Sequence, residues 1–153
     1  MLTLLRDCSI FSITVIADIV MFIKIDFESE IPIYEQIKNQ IIEGIASGNL
    51  AEGESLPSVR QFASDIGINM HTVNKAYLLL RKDDFVTVHK RKGVIVNGFA
   101  KMRDPGFMEK NSGTIKPVIA EAYCKGITEE EFIDECKKIF LTFNKGTGND
   151  GSK

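Results

Sequence analysis

The chain is 153 residues long, with 44% hydrophobic and 26% charged residues, which suits one soluble globular domain or a small domain with an appendage. A formal net charge of −2 excludes an overall basic field, so a nucleic-acid partner has to be met by local clusters of cations. Cys8, Cys124 and Cys136 have neither CxxC nor Cys/His ligand spacing; they read as free thiols in a reducing cytoplasm, and no metal or other cofactor is expected.

An apolar run from Ser9 to Val20 opens the chain. Asp18 interrupts it, and it falls short of the ~20 apolar residues that a membrane-spanning helix needs. Arg6 stands beside Asp7, unlike the basic start of a secretory signal, and no small-residue cleavage site follows. No membrane contact is therefore expected, and the expected location is cytoplasmic. Met21 begins an alternating pattern through Phe27 that suits an edge strand or an extended arm. Residues 1–20 are expected to be an extension that is non-native or disordered, with Met21 as the natural start.

Pro32 sits where a first-turn proline belongs, ahead of a helical stripe of Ile33, Tyr34, Ile37, Ile41, Ile42 and Ile45 that Ser47-Gly48-Asn49 ends. "LAEGESLP" reads as a turn, with Gly53 and Pro57 as breakers. A short helix is expected from about Ser58 to Asp65, burying Val59, Phe62 and Ala63. Gly67 can take the positive φ of a sharp turn, and Ile68 plugs the angle. Asn69 is a good N-cap for a second helix that buries Val73, Ala76, Tyr77 and Leu80 and runs to Arg81-Lys82.

"FVTVHKRKGVIV" is rich in β-branched residues on both sides of a basic tip, as a hairpin would be. Phe99 to Ser112 reads as a linker around Asp104-Pro105-Gly106. Two more helices follow, the first ending at Gly126 and the second starting with a capping box of Thr128 and Glu131. The expected fold class is α+β: a winged helix-turn-helix over 21–98, a linker over 99–113, a two-helix region over 114–144 and a disordered tail over 145–153.

A helix-turn-helix puts the start of its second helix into the major groove of double-stranded DNA while the first helix crosses the backbone. Here that start offers Asn69, Met70, His71, Thr72, Asn74 and Lys75. Asn74 suits an adenine edge, His71 and Thr72 a base or phosphate, and Met70 a thymine methyl. Ser58 and Arg60 suit phosphate contact at the preceding helix, and the wing residues Lys90, Arg91, Lys92 and Gly93 suit backbone or minor groove. Asn69 and Thr72 have an equally good reading as a cap pair with no DNA involved. Catalysis is not expected: His71 and His89 have no nucleophile partner, and the glycines of "KGTGNDG" lack the strand and helix of a phosphate loop.

"IPIYEQIKNQIIEGIASGNLAEGESLPSVRQFASDIGINMHTVNKAYLLL" resembles the DNA-binding domain of GntR-family bacterial transcription regulators. The resemblance rests on the PIYEQI-type opening helix, on Gly-x-x-Leu-Pro-Ser-x-Arg at Gly53 to Arg60, and on the segment Gly67 to Tyr77 with its Thr-Val-x-x-Ala-Tyr. The short end, with "IAEAYCKGITEEEF" at Ile119 to Phe132, is similar to the YtrA subfamily. The resemblance implies a homodimeric repressor on an inverted-repeat operator, often of a transporter operon, with Arg60, Met70, His71, Thr72, Asn74 and Lys90 to Gly93 at DNA. Met70 and Asn74 depart from relatives that carry arginine at one or both places. Asp84 stands where relatives usually have glycine, and Arg91 where many have the first wing glycine.

Two isolated helices cannot bury their own apolar faces. Packing against the same pair of a second chain would bury Ile115, Ile119, Tyr123, Phe132, Ile133, Ile139, Phe140 and Phe143. The alternative is that they fold back on their own winged helix. Two other readings remain at this stage: a winged helix used for protein contact, and a sensor with an effector site at the dimer interface. The chain looks too short to enclose a cavity of roughly 300 Å³ by itself.

Overall fold

The computed structural model describes residues 23–143; the expected extension over 1–20, the start at Met21 and the disordered tail lie outside the described residues. Among the described residues the order is α1 (Ile33–Ala46), β1 (Ser55–Leu56), α2 (Val59–Ile66), α3 (Met70–Lys82), β2 (Val86–His89), β3 (Gly93–Val96), α4 (Phe99–Met102), α5 (Phe107–Cys124) and α6 (Glu129–Phe143). They form two compact units, the first made of the residues up to Ile45 with Asn49–Met102, the second of Arg103 onward with the short segment Ala46–Gly48.

The first unit has one core. Ile37, Ile41 and Ile45 recur every fourth residue along α1 and are buried, and they join Leu50, Leu56, Phe62, Val73, Ala76, Tyr77, Leu80, Val86 and Val96. The four-residue step keeps these isoleucines on one face of the helix, as the sequence periodicity requires. Phe62 and Tyr77 join α2 to α3, with ring centroids 6.0 Å apart. Burial pushes the Tyr77 phenol well above its ordinary pKa, and its hydroxyl donates to the Pro57 carbonyl at 2.9 Å.

Ile23 to Asp26 are extended but carry no sheet pairing, so of the two sequence readings the arm is the one that holds. Two glutamines of α1 hold it. Gln40 accepts from Lys24 N and donates to Lys24 O, both at 2.8 Å. Gln36 accepts from Asp26 N at 2.9 Å and donates to Asp26 O and Ile31 O at 2.8 and 2.7 Å. One helical turn rises about 5.4 Å and two extended residues about 6.6 Å. Glutamines four apart can therefore grip alternate residues of an antiparallel arm.

The sheet is antiparallel in the order β1-β3-β2. β2 and β3 pair from Val86↔Val96 to His89↔Gly93, leaving Lys90, Arg91 and Lys92 as the tip. The sequence segment read as a plain turn contributes β1, with Ser55 opposite Ile95 and Leu56 opposite Val94. A two-residue strand has no periodicity to read. It forms because the second edge of β3 needs backbone partners and Leu56 fits the core.

Three helices end in the same reversal. Ile68 N reaches Ala63 O, Phe85 N reaches Leu80 O and Ile127 N reaches Ala122 O, at 3.0, 2.9 and 3.0 Å. Each needs a left-handed residue before it. Gly67 and Gly126 supply φ of 67° and 82°, but after α3 the position is held by Asp84 at 59°.

The linker expected over 99–113, which spans the change of unit, is shorter than the sequence suggests. Residues 99–102 form α4, and α5 begins at Phe107 rather than near residue 114. Lys110, Asn111, Ser112 and Gly113 looked like linker composition. Here Asn111 Nδ2 donates to Phe107 O and Ser112 Oγ to Glu109 O, so polar side chains bond the helix's own carbonyls. Pro117 lies inside α5 and cannot donate to Gly113 O. The capping box of α6 forms as expected: Glu131 N donates to Thr128 Oγ1 at 3.2 Å and Thr128 N to Glu131 Oε2 at 2.9 Å. Those hydrogen bonds hold the Glu131 carboxyl below its ordinary pKa.

Candidate nucleic-acid interface

The helix-turn-helix is built by α2 packing on α3, and α3 packs in turn on β2 of the wing. Ser58 caps α2, its Oγ accepting from Gln61 N at 3.2 Å. Arg60, one residue into that helix, is exposed. Asn69 caps α3, with Oδ1 accepting from His71 N at 2.8 Å. The cap reading of Asn69 is therefore realised. Its carbonyl also receives Thr72 N at 3.0 Å.

Burial on α3 separates the two faces. Val73, Ala76, Tyr77 and Leu80 go inward. His71, Asn74, Lys75 and Leu78 are exposed, as is Met70 at 48%. Thr72 is half-buried, so it offers less surface than the sequence reading gave it. Lys90, Arg91, Lys92 and Gly93 are all exposed, and Gly93 has a φ of 75° at the reversal.

These cations share one electrostatic property with Lys24, Arg81, Lys82, Lys101, Arg103 and Lys116, the lack of an ion-pair partner among the described residues. Among the described residues the ion pairs use Lys38, Lys110, Lys125, Lys137 and Lys138; Arg60, Lys75, Lys90, Arg91 and Lys92 enter none. Their charge is thus available to an external anion. No group of His, Cys, Asp and Glu suited to a metal ion occurs among the described residues. No described helix is long and apolar enough to cross a membrane.

Three contacts near this surface were not foreseen. The Tyr77–Pro57 hydrogen bond joins the Ala-Tyr end of one motif to the Leu-Pro-Ser start of the other; a buried phenol needs a partner, which is the signal that was there to read. Lys75 Nζ lies 3.6 Å from the centroid of the Tyr34 ring. Behind the wing, Lys101 Nζ donates to Thr87 Oγ1 at 2.5 Å, and Asn97 links Thr87 to the Asp84 carbonyl.

In the second unit α5 and α6 bury none of their residues. Ile115, Phe132 and Phe143 are half-buried. Ile119, Ile133 and Ile139 are exposed, with Tyr123 at 81% and Phe140 at 68%. Met108, Ile115, Ile119 and Tyr123 line a groove of about 500 Å³ along α5 that is open to solvent rather than enclosed.

The profile described as "Bacterial regulatory proteins, gntR family" matches residues 33–96. The HTH-type transcriptional repressor YtrA of Bacillus subtilis is 33% identical over 129 residues, 84% of this chain and 99% of that protein. Among solved structures, YtrA from Sulfolobus acidocaldarius, a GntR-family transcription factor, is 41% identical with a TM-score of 0.54, over 67% of this chain and 98% of that one. A transcriptional antiterminator from Listeria monocytogenes EGD-e is 30% identical with a TM-score of 0.71, over 85% of this chain and 96% of that one.

Proposed function

This chain belongs to the GntR family of bacterial regulatory proteins and is a DNA-binding transcription regulator rather than an enzyme; from that premise we propose that it is a cytoplasmic homodimeric repressor of its own or a transporter operon, acting on an inverted-repeat operator. The first turn of α3 reads bases through Met70, His71, Thr72 and Asn74. Ser58, Arg60, Lys75 and the wing from Lys90 to Gly93 hold the phosphate backbone. Asn69 serves mainly as the cap that aims the helix. With no arginine at Met70 or Asn74, base reading is weakly charged, and the cations elsewhere supply most of the affinity.

The observation that carries the dimer is the second unit, whose helices bury nothing while exposing Ile119, Ile133, Ile139 and Phe140. A second copy covers those side chains and sets two recognition helices against two half-sites, about 34–36 Å apart. The test is a footprint of the DNA upstream of the gene, with a reporter fused to it. Protection of an inverted repeat and higher reporter output without the protein are expected. Protection with lower output would make it an activator, and no protection at all would overturn the reading.

A second reading has one specific observation in its favour. The open groove along α5 is almost wholly apolar and has the volume of a small-molecule site. Covered by a partner chain it becomes an effector site for a compact apolar compound. Operator release by such a compound, lost in Met108→Glu while operator binding itself is kept, is the result expected.

A further inference from the structure

Lys75 occupies an unusual position for an exposed lysine of this molecule. The other lysines with a charged partner meet carboxylates: Asp83 for Lys38 at 3.7 Å, Asp104 for Lys110 at 2.7 Å, Asp134 for Lys137 at 3.0 Å. Lys75 instead lies over the face of Tyr34, a neutral ring, at 3.6 Å. Tyr34 is half-buried and packs against the core cluster, so its ring is a fixed platform rather than a second mobile side chain.

The difference matters for binding an anion. A carboxylate neutralises its lysine and has to be displaced before a phosphate can bind. A ring face attracts the ammonium through its quadrupole, leaves the positive charge in place, and leaves the far side of the ammonium open. A free lysine also loses rotamer freedom when it clamps a phosphate, and an ordered one loses less. Lys75 stands one helical turn after His71 and next to Asn74, on the exposed face of α3. The same side of α1 contacts α3 again one turn later, where Lys38 meets Asp83 at the end of that helix.

We propose that Tyr34 is a positioning residue for DNA binding: it holds Lys75, which has no acidic partner, in the attitude in which the ammonium takes a backbone phosphate beside the recognition helix. The proposal rests on the DNA-binding reading of α3. Tyr34 touches no base, so its effect is on affinity and salt dependence and not on sequence preference.

The test is a double-mutant cycle on the intact protein, with a duplex carrying the footprinted inverted repeat and a random-sequence duplex of equal length, each titrated over a range of salt. Lys75→Gln should weaken binding to both duplexes by a similar factor and flatten the salt slope by about one per protomer. Tyr34→Leu should weaken both by roughly two- to fivefold per protomer in the presence of Lys75 and by almost nothing in Lys75→Gln. Tyr34→Phe, which keeps the ring, should bind as the parent does. Equal losses from Tyr34→Leu with and without Lys75 would make Tyr34 merely structural and overturn the proposal. An unchanged salt slope in Lys75→Gln would also overturn it, while loss of binding in Arg60→Ala would leave the DNA-binding reading standing. If the parent binds neither duplex, both fall together.

Discussion

The two units solve the burial of apolar side chains in opposite ways. The first encloses Phe62, Ile37, Ile41, Leu80 and their neighbours in a single core and, with Lys38 paired to Asp83, leaves Arg60, Lys75 and the wing cations proposed to meet DNA without acidic partners. The second buries nothing on either helix, yet pairs most of its described lysines with acids: Lys110 with Asp104, Lys125 with Glu121, Lys137 with Asp134 and Lys138 with Glu135, leaving Lys116. A unit that pairs most of its lysines and exposes its isoleucines suits the protein surface proposed for it. One that hides its isoleucines and leaves its cations unpaired is organised for a polyanion.

The contrast can be broken at its strongest point first. Phe62→Ala should cost about 3–5 kcal/mol of the first unit's stability, because the side chain is fully buried and its loss opens a cavity between α2 and α3; a denaturant melt measures it. Charges placed on the second unit should leave that melt unchanged. Ile119→Glu combined with Phe140→Glu should instead convert dimer to monomer in sedimentation and lower operator affinity on the order of a hundredfold, because the two half-sites are no longer linked.

Smaller changes sharpen the picture within the first unit. Tyr77→Phe leaves the Pro57 carbonyl without its 2.9 Å partner and should cost about 1–3 kcal/mol by the same melt. Asn69→Ala removes the cap on His71 N and should cost roughly 1 kcal/mol, with a parallel fall in operator affinity because the first turn of α3 frays. Asp84→Gly should have the smallest effect and the opposite sign. It relieves a left-handed φ of 59° and should stabilise by about 0.5–1 kcal/mol, with the Asn97 hydrogen bond to the residue 84 carbonyl intact.

What the sequence made legible was whatever is local. The four-residue step of Ile37, Ile41 and Ile45, the caps Asn69 and Thr128, the glycine at 67 and the basic wing tip each show in a short window. Long-range features did not show. Gln36 and Gln40 look like ordinary polar helix positions until the arm lies against them. Ser55-Leu56 is too short to have a pattern, and Tyr34 and Lys75 are 41 positions apart in the chain. The start of α5 was misplaced because asparagine, serine and glycine suggest a linker, while the hydrogen bonds to helix carbonyls that accommodate Asn111 and Ser112 depend on the helix already being there.

The division of labour between the units is decided by the mass and affinity of the complex on two duplexes, one with the full inverted repeat and one with a single half-site. Two chains should occupy the full repeat, bound at least on the order of a hundredfold more tightly than the half-site. One chain per duplex, with equal affinity for both, would contradict it.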